Sequence, residues 1–534
     1  GVFLLPYCFF TLLCGLPLFL LETVVGQYTQ EGAVTCWTKI CPLAQGTGYY
    51  TIIIQLYFRA YIIVLAWAVF YLIYSFSGTL PWASCSNPWN TGEYGTQANK
   101  AVFKEGSAKA KRTIIESILF LNSPAPYKRR RVLSMSGGIE ELGSVKWEML
   151  LCLLACWVAC YFCIWKGVRS TGKVVYFTAV FPYVMLVILL IRGLTLPGAL
   201  QGVVYYLYPD FSRLADLQVW MDACSQVLFS YGVSAGALTT FASFNKLKNN
   251  CCRDCLWLSV LNGSTSFVAG FVVFSTLGFM AEAQGVPIDM VAESGPGLAF
   301  IAFPQAIAMM PLPQLWAVCF FVMLLLLGID TMFSGLEMLI SAVIDLFPAQ
   351  MRKPWRREVG LLIFCSTCFL TQIIFTTEGG VYLFELIDYY GCNGLCIIFG
   401  SLIQCLAVGW VFGAEQMCNA VEEITGHRPW LLYKLCWRYF TPLLSMVGLI
   451  CSFLNYQPLK SRGGYVYPDW SHHLGLAMAL SSMVVIPTYA AVKLCFTKGT
   501  LRQRLWVLLY PKHGAVHPKK NNHESETNPA PSSD

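Results

Sequence analysis

With 534 residues, 56% of them hydrophobic and only 12% charged, this chain is too apolar for a soluble fold and belongs with the polytopic membrane proteins. Its net charge of +7 sits mostly in loops and tail, where it reads as topology and attraction to anionic membrane lipid, not as nucleic-acid binding. The six histidines form no HExxH, and no GxSxG or Walker motif falls at a strand-to-helix junction, so the composition argues against an enzyme.

Eleven apolar spans follow one another at 1–28, 48–76, 147–165, 174–191, 218–242, 256–281, 314–346, 358–377, 380–413, 437–455 and 472–496. They predict a transmembrane domain over 1–496 and a cytoplasmic, largely disordered tail over 497–534. Lys166, Arg169 and Lys173, then Lys246, Lys248 and Arg253, then Arg352, Lys353, Arg356 and Arg357 fall in alternate loops, which therefore face the cytoplasm together with the basic tail. The loops at 77–146 and 282–313 are then outside; the second carries no Lys or Arg, and the basic run Lys128 to Arg131 in the first lies in a loop long enough to cross regardless of charge. With the tail inside and an odd number of spans, residue 1 begins outside without a signal peptide, so a preceding piece with at least one more span is expected.

Span two carries Arg59, for which a snorkelling side chain and a water-filled vestibule are both open. Span five, from Gln226 to Phe241, holds Ser230, Gly232, Ser234 and Gly236 at its centre and reads as a helix built to break at mid-membrane. Such breaks mark the binding sites of secondary transporters, although small residues also serve close helix packing. Gln226 and Ser230 share a face of this span, as Asn262 and Ser266 share a face of span six; two such faces would suit a dehydrated anion or plain interhelical bonding. Span seven buries Asp330 in one of the most apolar runs of the chain, where a central Asp costs roughly 2.5–3.5 kcal/mol and by default marks an ion path. Thr331 and the Leu327 carbonyl would complete a hard oxygen cluster suited to sodium. Glu22, Glu337, Glu385 and Asp388 are gates or packing partners. Most of the 23 cysteines read as apolar packing residues, Cys85 stands alone in its loop, and Cys251, Cys252 and Cys255 suggest a metal only weakly because no histidine accompanies them.

Four motifs are more specific: Gly15 to Gln27 (GLPLFLLETVVGQ), Leu80 to Cys85 with Asn87 to Thr91, Cys163 to Phe177 (CIWKGVRSTGKVVYF) and Glu293 to Phe300 (ESGPGLAF). Together they resemble the sodium- and chloride-dependent neurotransmitter symporters, and within them the GABA, betaine, taurine and creatine branch, from Gly1 to about residue 510. The resemblance implies an all-α polytopic membrane protein with an inverted-repeat transporter fold and broken helices. Eleven of the family's twelve helices would be present, with Gly1 to Tyr7 opening its second. It also implies sodium and chloride as co-transported ions and a small zwitterionic substrate at the plasma membrane.

By the same resemblance, chloride falls on Tyr7, Gln226, Ser230 and Ser266, one sodium on Ser230 and Asn262, and a second on Leu327, Asp330 and Thr331. Substrate falls on Tyr61 with Phe229, Ser230, Tyr231 and Gly232; Asp388 is the outer gate and Asp345 the inner gate. The chain departs from the branch at several of these places. Asp-Ser-Gln-Phe becomes Asp330-Thr-Met-Phe333, Asn-Val-Tyr-Tyr becomes Phe58-Arg-Ala-Tyr61, Phe244 replaces a tyrosine, and Cys85 lacks the second cysteine of the family's outer loop. The expected activity is sodium- and chloride-coupled symport; the alternatives are a truncated or transport-dead interaction partner and, less favoured, a channel. Oligomeric state is left open, a homo-oligomer being one outcome.

Overall fold

Inside a bilayer no water is present to bond exposed peptide groups, so apolar runs of this length are forced into helices that satisfy their backbone internally. The computed structural model describes residues 1–83, 131–165, 168–291, 296–351, 355–392, 394–459 and 465–510. Cys85, the basic run up to Arg130 and Glu293 to Gly295 of the ESGPGLAF motif lie outside these residues.

The spans, in chain order, are α1 (Leu4–Thr29), α2 (Pro42–Ser75), α3 (Trp147–Ile164), α4 (Val168–Leu194), a broken pair α5 (Leu217–Ser230) and α6 (Ala237–Ser243), and α7 (Cys251–Gln284). They continue with α8 (Pro313–Leu346), α9 (Arg356–Thr376), α10 (Gly380–Gly391), α11 (Gly394–Leu406), α12 (Leu431–Leu454) and the pair α13 (Asp469–Met483) and α14 (Val485–Phe496), bent by 43°. Among the described residues nine helical segments are long and apolar enough to cross a membrane, with α10 and α11 in one of them, and the bent pair makes a tenth. The broken pair escapes a test of helix length because neither half suffices, and with it the eleven predicted spans are all accounted for.

The largest core gathers α2, α3, α8 and α9 around Trp67, Tyr71, Trp157, Phe300 and Phe321. A second, with Phe10, Cys14, Val227, Leu228 and Tyr231, locks α1 against α5 and α11. Gly26 lets α1 approach α6 closely, since a Cβ there would lie 2.1 Å from the Thr239 carbonyl oxygen. A π-helical turn at Thr11–Gly15 interrupts α1, and the 3-10 turn Arg59–Tyr61 interrupts α2; such irregular turns inside spans often accompany function.

The expectation of a largely disordered tail is corrected over Leu501–Leu509, which form a further helix, α15. Thr500 and Gln503 close a capping box there that satisfies two otherwise orphaned N–H groups.

Candidate functional site

The predicted break is present. After α5 ends at Ser230, Tyr231 to Gly236 leave the helix, with Gly232, Ser234 and Gly236 at φ of 62°, 62° and 74°. Glycine accepts that left-handed backbone freely; Ser234, which carries a side chain, must be held there by its surroundings. It is: its N–H donates to Glu22 Oε1 of α1 at 2.6 Å, and its hydroxyl lies 3.0 Å from that of Ser401 on α11. Gln55 of α2 donates to the freed Ala235 carbonyl at 3.0 Å. Neighbouring protein therefore takes the Ser234 N–H and the Ala235 carbonyl, so these two uncoiled groups are not left for a ligand. Space remains on one side: a Cβ on Gly232 would meet nothing within 4 Å, and Phe229 is exposed.

Ser230 and Asn262 do meet. Asn262 Nδ2 donates to the Ser230 hydroxyl at 2.9 Å, joining α5 to α7. Tyr7 of α1 packs on the neighbouring apolar cluster of Val227, Leu228 and Tyr231, and its hydroxyl is buried without a hydrogen-bond partner among the described residues. Gln226 is exposed one turn before Ser230, and the Ser266 hydroxyl donates to its own helix at the Asn262 carbonyl, 3.0 Å away. Side-chain bonding thus joins Ser230 to Asn262, Ser266 reaches only the Asn262 backbone, and among the described residues no hydrogen bond ties Gln226 or Tyr7 to them.

On α8, the Thr331 hydroxyl donates to the Leu327 carbonyl at 3.1 Å, one turn back. Asp330, half buried, accepts from the Thr178 hydroxyl of α4, and no cationic side chain engages it among the described residues. The three oxygens predicted as a cation set stay on one continuous helix, with Thr331 and Leu327 exposed. An apolar cavity of about 340 Å³ lies beside Leu327, between α4, α7 and α8.

Tyr61 and Asp388 are brought into direct contact, the phenol donating to the carboxylate. Around Tyr61 stand Phe58 at 5.9 Å between ring centroids and Phe384 at 5.5 Å, and Phe58 in turn stacks toward Phe229 at 5.9 Å. Phe58 was not among the predicted site residues; its signal is its spacing, since the 3-10 turn places residues three apart on one side. Tyr231 points elsewhere: it is buried against Phe19 and hydrogen-bonds to Ser259 at 2.5 Å. Asp345 accepts from the Gly32 N–H at 3.1 Å.

The other intramembrane acids resolve as packing partners. Glu337, 2% exposed, pairs with Arg357 at 2.7 Å, and Glu385 accepts from Tyr467 at 3.0 Å. Arg59 neither snorkels nor lines a vestibule: it is buried and donates to protein oxygens on α2 and α8. Cys255 donates to Thr23 at 3.5 Å, and the weak suggestion of a metal at Cys251, Cys252 and Cys255 finds no support, since no group of three ligands assembles among the described residues.

A model of the sodium:neurotransmitter symporter family matches residues 1–497. A sodium- and chloride-dependent GABA transporter 2 from Rattus norvegicus is 50% identical over 513 residues, covering 96% of this chain and 84% of that protein. Its counterpart from Homo sapiens matches with the same identity and coverage. A sodium- and chloride-dependent taurine transporter from Rattus norvegicus is 48% identical over 516 residues, covering 96% of this chain and 82% of that protein. The family match begins at residue 1 and lends no weight to the expectation of a preceding span.

Proposed function

As this chain belongs to the sodium:neurotransmitter symporter family, a family of membrane transporters and not of enzymes, we propose that it carries a small GABA- or taurine-like zwitterion across the plasma membrane, coupled to sodium and chloride. The observation that carries the reading is the break at Tyr231 to Gly236, which follows directly on Ser230, bonded to Asn262, and on Phe229, in ring contact with Phe58 beside Tyr61.

Sodium takes the oxygens of Ser230 and Asn262 and, on α8, those of Leu327, Asp330 and Thr331. Hard oxygen donors and an uncompensated carboxylate suit a small cation. Chloride takes Tyr7, Gln226, Ser230 and Ser266, all neutral hydrogen-bond donors. Substrate lies along Phe229 to Gly232 under Tyr61, whose hydroxyl exchanges Asp388 for the substrate's anionic group as the outer gate opens. Asp345 serves the inner gate from its place beside Gly32. The transport domain spans 1–496 with its C-terminus in the cytoplasm, and alternating access rocks α1 and α5 to α7 against α2, α3, α8 and α9. The membrane potential contributes about 2.3 kcal/mol per net charge per 100 mV to such a cycle.

Uptake of labelled GABA, taurine, betaine and creatine by cells expressing the full chain, with sodium or chloride replaced, tests this reading. Saturable uptake of one of them that collapses on removal of either ion is expected. Uptake indifferent to both ions would overturn it.

A further inference from the structure

Arg59 occupies a place in the fold that the transport reading leaves unused. It is 3% exposed in the middle of α2, where a charged side chain is costly unless bonded. Its Nε donates to the Gln55 carbonyl at 3.1 Å, its Nη2 to Gln55 Oε1 at 2.9 Å, and its Nη1 to the Met332 carbonyl of α8 at 2.5 Å. No carboxylate pairs with it among the described residues. Backbone and amide oxygens carry the whole charge, and charge-assisted bonds of that kind are about twice as strong as neutral ones.

Two consequences follow from donor chemistry. A guanidinium can only donate, so it fixes the Gln55 amide with its oxygen toward Arg59 and its NH₂ toward the break, where it donates to Ala235 O. The Met332 carbonyl belongs to the residue after Asp330 and Thr331, so the same guanidinium also pins the α8 backbone beside those two. The surroundings are shaped to it: a Cβ on Gly335 would lie 2.1 Å from Arg59 Nη2 and 2.4 Å from Gln55 Oε1. From behind, Gln372 donates to the Arg59 carbonyl at 3.0 Å and accepts from Trp157 at 3.1 Å, anchoring the turn to α3 and α9.

We propose that Arg59 is a positioning residue of the transport site, a buried strut that holds the uncoiled segment through Gln55 and the α8 cation set through the Met332 carbonyl in one geometry. The proposal rests on the transport reading above.

The test compares the unaltered full chain with Arg59→Val, Gly335→Ala and the double variant. Sodium activation of uptake is measured per transporter at the cell surface, and the thermal midpoint is measured on the detergent-purified protein. Loss of the bonds to the Gln55 amide and the Met332 carbonyl, with that to the Gln55 carbonyl, is expected to raise the sodium concentration for half-maximal uptake about tenfold in Arg59→Val. Gly335→Ala, which drives the guanidinium out of place, shifts it the same way. In the double variant the added methyl has no guanidinium to strike and meets only the Gln55 amide oxygen, which Arg59 no longer holds in place, so the second change adds far less than it does alone. A role confined to stability would lower surface level and thermal midpoint while leaving sodium half-saturation unchanged, and that result, or strict additivity of the two changes, overturns the proposal. If the unaltered chain takes up nothing, the transport reading fails by itself. The strut is then judged on the thermal midpoint alone, where non-additivity of Arg59→Val and Gly335→Ala supports it and additivity removes it.

Discussion

Glu22, buried, and Asp330, half buried, are both acids within spans, yet their neighbours separate them. Glu22 spends one oxygen on the Ser234 N–H, a fixed partner of the fold, while among the described residues Asp330 has the Thr178 hydroxyl and no cation. Asp330→Asn should therefore abolish the sodium dependence of uptake at unchanged surface level, because it removes the charge without changing the shape. At Glu22 the bond matters more than the charge. Glu22→Gln keeps an oxygen able to accept from Ser234 and should retain most of the thermal stability, whereas Glu22→Ala leaves a buried N–H unpaired and should cost about 1–3 kcal/mol, read as a lowered melting temperature. The type and depth of these acids were legible in the sequence. Their partners were not, since hydropathy says that a buried acid needs a partner without saying which helix supplies it. Arg59 shows the same limit more sharply: its place in span two was plain, but its burial was not, because its oxygen partners lie on Gln55, one turn back, and on Met332, far along the chain.

Span five was the most legible element, because alternating serine and glycine at the centre of an apolar run leave few other readings. Which glycine carries strain and which carries packing is visible only in three dimensions. Gly232 and Gly236 both have positive φ, but a Cβ on Gly232 meets open space, whereas one on Gly236 would lie 2.6 Å from Met338 Cε and 2.9 Å from Thr51 Oγ1. Gly232→Ala should accordingly cost about 1–2 kcal/mol of backbone strain alone. Gly236→Ala should cost more, through the added overlap, and thermal unfolding of the purified protein would rank the two. In the aromatic group Tyr61 and Phe229 both meet Phe58, which the sequence reading left out, and Tyr231 turns to Ser259 instead because the chain has already left the helix at that point.

For the molecule as a whole, the eleven spans and the all-α class could be read from hydropathy, since apolar runs in a bilayer have few alternatives to helix. The pairing between spans could not. The Glu337 and Arg357 bond between α8 and α9 is an instance, with both residues noted beforehand and neither assigned to the other. Removing the arginine leaves a carboxylate that is 2% exposed without its charge partner, so Arg357→Gln should destabilise by about 3 kcal/mol, seen as a lower thermal midpoint. Glu337→Gln, which keeps an acceptor for the partly exposed arginine, should cost less.

Gln27 of α1 donates its one amide group to the carbonyls of Lys246, Leu247 and Asn249, at 3.1, 3.1 and 2.8 Å, just where Gly26 sits against Thr239. The lower half of the broken span and the connection that follows it are thereby strapped to α1, while among the described residues the Gln55 amide is the one hydrogen bond that reaches the uncoiled segment from α2. Spin labels attached in pairs would read this directly. Separations between α1 and α6 should keep a single narrow distribution with or without sodium, and separations between α6 and α2 should split into two.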